Sequence, residues 1–279
     1  MTVVVKIGGA AAVDPAGAVE DVADLAESGE DVVVAHGGST AVDDLLERLD
    51  IEPTYVETPD GVVGRFTDEA TMEAFTMAMA GKVNTDLVAL FRNAGVDAVG
   101  LSGVDGGLLT GARKSAVRVV EDGKKKIKRG DHSGKLERVN ADLLETLLAG
   151  GYTPVAGPPM LADDGVPVNT DADRAAAAMA GALEGSTLVL LTDVEGVYAD
   201  PDDPSTLIER VETAADLDEL ESAAEGFMGK KVMAAEEALT AGAESVVIAD
   251  ANAADPILAA LDGSGTWIEA SALAEEVER

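Results

Sequence analysis

The chain of 279 residues carries 53 acidic against 20 basic side chains, a formal net charge of −33, and is 47% hydrophobic but only 3% aromatic. That length suffices for one large α/β domain or two modest lobes with a core of Val, Leu, Ala and Ile. The absence of Cys excludes a disulfide framework and a thiolate metal site, the negative balance disfavours nucleic acid, and the lack of a long apolar run or leader-like start disfavours a membrane span and points to a cytoplasmic protein.

Thr2–Ile7 is a β-branched apolar run that ends in Gly8-Gly9, and Ala16–Ser28 has helical periodicity closed by Gly29. A second strand, Asp31–Ala35, also runs into a glycine pair, Gly37-Gly38, after which Ser39 is suited to cap a helix through Leu49. A helical pattern returns at Asp68–Ala94, followed by a short strand at Ala98–Leu101. Ser115–Val120 and Lys125–Lys128 read as strands flanking Asp122-Gly123, a hairpin turn signal. Helix Ala141–Ala149 and strand Thr153–Val155 complete the first half. The second half repeats the alternation: helix Asp171–Leu183, strand Leu188–Leu191, helix Met228–Ala241 and strand Ser245–Ala249. Buried-type strands alternating with helices predict a three-layer αβα sandwich on a mainly parallel open sheet. The reading is a single domain, 1–279, with lobes 1–160 and 161–279 meeting near Pro158–Pro167.

Acidic residues are spread along the whole chain, as a surface kept hydrated in a salt-rich cytosol would be. The cations are not. Ten of the 20 Lys and Arg fall between Arg113 and Arg138, among them Arg113, Lys114, Lys124, Lys125, Lys126, Lys128 and Arg129. With four acids in that window it is locally +6, and the rest of the chain is 10 − 49 = −39. Lysines on an exposed hairpin also guard its edge against aggregation, but one or two suffice for that.

Phosphoryl transfer needs backbone N–H groups and cations around the oxygens that gain charge. Lys6-Ile7-Gly8-Gly9 offers a cation with a glycine turn, and His36-Gly37-Gly38-Ser39 a second turn opening a helix. Neither fits the Walker A or Gly-x-Gly-x-x-Gly patterns. Val168-Asn169-Thr170-Asp171-Ala172-Asp173-Arg174 gathers carboxylates and an amide at a helix start, beyond what capping by Asn169 or Thr170 explains. Leu191-Thr192-Asp193-Val194-Glu195-Gly196-Val197-Tyr198 leaves a strand for a polar turn suited to a nucleotide. Gly226-Phe227-Met228-Gly229-Lys230-Lys231 puts lysines at a helix N-terminus, which is unfavourable unless an anion sits there.

Together and in this order, these motifs, with Gly64-Arg65-Phe66-Thr67-Asp68, resemble the amino-acid kinase family over nearly the whole chain, and within it the N-acetylglutamate kinase branch. The resemblance implies an ATP-dependent kinase acting on a carboxylate, with Mg2+ entering alongside ATP and no all-protein metal site. It gives Lys6 and Lys231 the phosphates, and Asp173 the orientation of both lysines. Gly8, Gly9, Gly37 and Gly38 become backbone donors, Arg65 the clamp on the substrate's α-carboxylate, and Asn169 the hold on its other polar end. Thr192, Asp193 and Tyr198 would line the nucleotide pocket. A carboxylate nucleophile is already ionised, so no general base is required.

The stretch Arg113–Gly134 resembles the carrier-dependent kinases of lysine and arginine synthesis, whose glutamate or 2-aminoadipate is attached to a small acidic carrier protein of the LysW type. A chain at −33 must gather its cations where such a carrier docks. Gly229 stands where those relatives carry a basic residue, which leaves phosphate contact there to Lys230 and Lys231. The alternatives are a kinase of free N-acetyl-L-glutamate and, from another class, a non-catalytic amino-acid sensor, which Lys6, Asp173 and Lys231 argue against. A homodimer is expected from the family.

Overall fold

The computed structural model of the chain describes residues 1–8, 15–59, 63–121, 123–224 and 226–273. In chain order the first half comprises β1 (Thr2–Ile7), α1 (Ala16–Glu27), β2 (Asp31–His36), α2 (Ser39–Arg48), β3 (Thr54–Glu57), β4 (Val63–Phe66) and α3 (Glu69–Thr76). A π-helical stretch, Met77–Val83, leads directly into α4 (Asn84–Asn93), and then come β5 (Ala98–Gly103), β6 (Leu109–Glu121), β7 (Lys124–Val139), α5 (Ala141–Ala149) and β8 (Thr153–Ala162). The remainder is β9 (Pro167–Val168), α6 (Ala172–Ala182), β10 (Thr187–Thr192), β11 (Arg210–Val211), α7 (Ala214–Ala223), α8 (Gly226–Ala241), β12 (Ser245–Asp250), α9 (Pro256–Leu261) and β13 (Thr266–Glu269).

Eleven strands form one mixed sheet in the order β11-β13-β12-β10-β1-β2-β8-β6-β7, with β5 and β9 also paired to β8. Its centre, β12-β10-β1-β2-β8, is parallel throughout. Alternation along the central strands divides their side chains between two cores. Val4, Val33, Leu188 and Leu190 pack with Ala176 and Ala180 of α6 and Ala235 and Ala238 of α8. Val3, Val5, Val34 and Val189 face the other way, onto Val22 of α1, Phe91 of α4 and Ile257 of α9. The expected αβα sandwich is thus present, filled mainly by small and branched aliphatics.

Several expectations from the sequence are corrected. The periodic stretch Asp68–Ala94 is not one α-helix but α3, the π-helical stretch and α4 in succession, a widening that periodicity cannot report. The hairpin strands run much further than Ser115–Val120 and Lys125–Lys128, because β6 and β7 pair from Leu109↔Val139 out to Glu121↔Lys124 with two register shifts. Ser39 is the first residue of α2 rather than its cap, which is Gly38 with no side-chain bond. The cap of α6 is Asp171, not Asn169 or Thr170; its carboxylate accepts from the N–H groups of Asp173 and Arg174. The hairpin β3–β4, the helices α7 and α9 and the strand β13 escaped the sequence pattern altogether.

Two helices on one face of the sheet, α1 and α9, are tied by a buried carboxylate. Asp21 of α1 is 1% exposed and accepts from the N–H groups of Ile257 (2.6 Å) and Leu258 (3.1 Å), in the first turn of α9. It serves α9 as a cap delivered from the opposite end of the chain. Replacing it, Asp21→Ala, leaves both donors unpaired in a buried turn, and the free energy of unfolding should fall by about 1–2 kcal/mol, read as a lower urea midpoint.

Candidate active site

Lys6 is the fifth residue of β1, in the middle of the sheet, and is only 7% exposed. A buried ammonium is costly unless paired, and Asp173 supplies the partner from the first turn of α6. Its Oδ1 lies 2.7 Å from Lys6 Nζ, and its Oδ2 lies 3.0 Å from Lys231 Nζ, on α8. Three charges therefore share one largely enclosed place, with a net of +1. Burial pulls the Lys6 ammonium below the usual lysine range; Asp173 opposes that and Lys231 reinforces it. Burial alone would push the Asp173 carboxyl up, but the two ammonium groups outweigh it and hold it below its ordinary value.

α6 and α8 bring Asp173 and Lys231 together. Their axes approach so closely at the far end that a Cβ on Gly181 would fall 2.3 Å from Ala241 Cβ. At the near end Arg174 grips Glu237 through two hydrogen bonds, Nε–Oε2 at 2.8 Å and Nη2–Oε1 at 2.5 Å. α8 begins at Gly226, so Lys230 and Lys231 stand one turn inside the helix rather than at its first residues.

A cavity of about 490 Å³ opens beside the triad, lined by Lys6, Gly37, Gly38, Arg65, Asn169 and Asp173, among others. Six of the residues singled out from sequence for catalysis or substrate are thus joined there by Lys114, and Lys231 reaches it through Asp173. Arg65 is held at the rim by Asp43 of α2 at 2.5 Å. Asn169 donates to the Thr67 hydroxyl at 3.3 Å. Its backbone is fixed on both sides, donating to His132 O (2.7 Å) and accepting from Gly134 N–H (2.8 Å). Gly8 directly follows β1, and Gly9 lies outside the described residues.

Thr192, Asp193 and Tyr198 are not in this cavity. They follow the carboxyl end of β10, where the Thr192 hydroxyl donates to Asp193 and the Tyr198 hydroxyl to Glu195. Glu195 borders a separate cavity of about 420 Å³ with Asp250 and Gly265. Of the basic window, Lys114, Ser133, Gly134 and Leu136 line the main cavity. Arg113 turns back onto its own hairpin, donating to Asp131 O (3.4 Å) and His132 Nε2 (3.0 Å). Lys128 stacks over the Phe66 ring at 4.6 Å. Lys124, Lys125, Lys126 and Arg129 are exposed, with Lys126 paired to Glu121 at 2.9 Å.

Asp43, Thr67 and Ser133 were not anticipated as site residues. Each is an ordinary polar residue in the sequence; the fold brings Thr67 and Ser133 to the cavity and Asp43 to Arg65. Among the described residues no group of three His, Cys, Asp or Glu is arranged to hold a metal ion, and no helix is long and apolar enough to cross a membrane.

An α/β sheet that presents an enclosed strand lysine, a helix lysine beside it and a glycine turn to a polar cavity defines an enzyme that handles an anionic group. Residues 1–250 match the model of the amino acid kinase family, and the chain belongs to that family. It is 44% identical over 266 residues to a [LysW]-aminoadipate kinase of Deinococcus radiodurans, covering 95% of this chain and 91% of that protein. A [LysW]-aminoadipate kinase of Thermus thermophilus is 41% identical (95% and 99% covered), and an acetylglutamate kinase of Methanopyrus kandleri 43% identical with the same coverage. Among solved structures, N-acetylglutamate synthase from Neisseria gonorrhoeae superposes with a TM-score of 0.75 at 25% identity over 96% of this chain and 59% of that one. Carbamate kinase from Giardia lamblia shares the fold at a TM-score of 0.67 and 15% identity.

The triad makes a prediction about stability. Asp173→Asn leaves two enclosed ammonium groups without a counter-charge and should cost about 3–5 kcal/mol at neutral pH. Because the folded-state pKa of Asp173 is depressed, its contribution is present above the ordinary carboxylate value near 3.8 and is lost as pH falls through the lower folded value. The gap between wild type and Asp173→Asn in urea titrations should accordingly narrow below about pH 4.

Proposed function

We propose that this kinase transfers the γ-phosphoryl group of ATP to the side-chain carboxylate of glutamate or 2-aminoadipate carried on a small acidic protein of the LysW type. The observation that carries this reading is continuity. The hairpin β6–β7 contributes Lys114, Ser133 and Gly134 to the cavity at its base, and its outer half exposes Lys124, Lys125, Lys126 and Arg129. A carboxylate tethered to an acidic partner can enter the cavity while its carrier rests on the one locally cationic region of an otherwise acidic chain. The names of the Deinococcus and Thermus relatives support the same assignment.

The acceptor carboxylate is ionised at neutral pH, so one of its oxygens attacks the γ-phosphorus directly. The new O–P bond forms as the bond to the β,γ-bridging oxygen breaks, and ADP leaves with that electron pair. Charge builds on the peripheral and bridging oxygens. Lys6 and Lys231, both within 3.0 Å of Asp173, stabilise it, and Asp173 holds them apart at a fixed spacing without taking a proton. Backbone donors of Gly8 and Gly38 cradle the phosphates, and Gly37, whose own N–H is held by Ile7 O, shapes the turn that presents them. Arg65 clamps the substrate's α-carboxylate, released from Asp43 to do so, and Asn169 holds its other polar end. Thr192, Asp193 and Tyr198 form the nucleotide side, with Mg2+ entering as part of the ATP complex. In this assignment residues 1–160 are the substrate lobe and 161–279 the nucleotide lobe of a cytoplasmic homodimer, whose dispersed acidity suits a salt-rich interior.

The second reading, a kinase of free N-acetyl-L-glutamate, is favoured by the 43% identity to the Methanopyrus acetylglutamate kinase. A coupled ADP-release assay comparing N-acetylglutamate with carrier-linked glutamate and aminoadipate decides between them: turnover confined to the free compound removes the carrier. Under the first reading, the triple variant Lys124→Glu/Lys125→Glu/Lys126→Glu should lose carrier-linked turnover while its ATP affinity by calorimetry stays the same. Lys231→Ala should lower kcat by about two orders of magnitude or more; a near-native rate would exclude it from charge stabilisation.

A further inference from the structure

His36 ends β2 immediately before the Gly37-Gly38 turn, and its side chain is 1% exposed. The ring packs so tightly on β8 that a Cβ at Gly157 would lie 2.6 Å from Cε1. Its Nε2 is 3.0 Å from Asn84 Nδ2, the first residue of α4. That amide nitrogen also reaches Val155 O at 2.8 Å and Leu101 O at 3.3 Å. Two carbonyl oxygens, which only accept, fix it as a donor. Facing that donor, Nε2 of His36 is assigned the lone pair, sharing one of the two amide hydrogens with a carbonyl, and this assignment puts the proton of the neutral ring on Nδ1. Nδ1 faces the Gly37 carbonyl oxygen at 3.2 Å. Burial lowers the imidazole to about 4, so the ring stays neutral near physiological pH.

The peptide joining Gly37 to Gly38 is trans, so its C=O and N–H lie in one plane and point in opposite directions. A carbonyl drawn onto the buried imidazole turns the Gly38 N–H away from His36, in a turn whose Gly37, Gly38 and Ser39 line the cavity. Gly37 N–H is committed elsewhere, to Ile7 O at 3.2 Å, whereas among the described residues Gly38 N–H has no acceptor. The π-helical stretch backs the turn from the other side, since a Cβ on Gly38 would come within 2.7 Å of Met79 Sδ.

We propose that His36 is a positioning residue: its Nδ1–H holds the Gly37–Gly38 peptide so that the Gly38 N–H is aimed at the transferring phosphoryl group, and Asn84 sets the tautomer that makes this possible. The role rests on the reading of that turn as a phosphoryl cradle. His36 itself touches neither substrate in this assignment.

Two substitutions separate orientation from packing. The amide nitrogen of His36→Asn falls near the Nδ1 position and keeps the donor to Gly37 while giving up the contact with Asn84. That of His36→Gln falls near Nε2, keeping a partner for Asn84 while giving up the donor to Gly37. We expect His36→Asn to melt lower than His36→Gln yet keep kcat within about threefold of wild type, and His36→Gln to lose about tenfold or more in kcat with little change in KM for ATP. A kcat order that follows the melting order, or His36→Gln at native turnover, would overturn the proposal. Nitrogen-15 NMR of the imidazole gives a readout independent of turnover: protonated Nδ1 is expected, and protonated Nε2 would sink the idea. A wild-type enzyme that phosphorylates no carboxylate would instead bring down the underlying kinase reading, and this role with it.

Discussion

A lysine near the carboxyl end of a buried central strand is the constraint around which the molecule is organised. Lys6 has Val5 and Ile7 as neighbours in β1, both in the apolar core, and is itself only 7% exposed, facing the cavity. The cost of enclosing it is met by Asp173, so α6 must begin where the carboxyl end of β1 emerges. Asp173 in turn carries a second ammonium, Lys231, and that requires α8 to lie against α6. The rest of that helix pair follows: small residues along the seam, the near-contact of Gly181 with Ala241, and the two-pronged grip of Arg174 on Glu237. The triad retains a net positive charge because one carboxylate is shared between two ammonium groups. An anion brought there completes a charge balance that the protein leaves one short.

What was legible in the sequence was what a short window can encode. Runs such as Val3-Val4-Val5 and Val32-Val33-Val34 announce central parallel strands, because both faces of such strands are buried. Lys6, Asp173 and Lys231 stood out for being electrostatically misplaced: a cation inside a strand, an acid beyond the needs of capping, lysines near the start of a helix. The caps of α2 and α6 were misassigned by one or two residues, since several polar residues in a row compete for the same role and only backbone geometry selects among them. The partners of site residues were out of reach for a different reason. Arg65 and Asp43 are 22 residues apart, His36 and Asn84 48, and Asn169 and Thr67 102. No local pattern links such pairs; tertiary packing creates them.

The basic hairpin illustrates how one element can serve two neighbourhoods. Its base is woven into the rim of the cavity, where His132 N–H donates to Thr67 O at 2.7 Å and Ser133 bridges to Asn169. Further out, Lys128 lies over Phe66, next to Arg65 in β4. Whatever rests on the exposed outer half is thus connected by only a few residues to the groups that surround the cavity. Side chains there need not reach into the cavity to matter to its shape.

The uneven charge of the chain, +6 over the hairpin window and −39 over the remainder, makes the molecule a large electric dipole. How far that dipole is felt depends on the medium. At low ionic strength its field extends over tens of ångströms and orients an approaching charged body before contact. At about 1 M salt the screening length shrinks to about 3 Å, less than the reach of a lysine side chain. The same hairpin then ceases to act as a beacon and becomes a tactile surface, sensed only by a body already touching it, so that recognition there passes from long-range guidance to the fit of individual side chains.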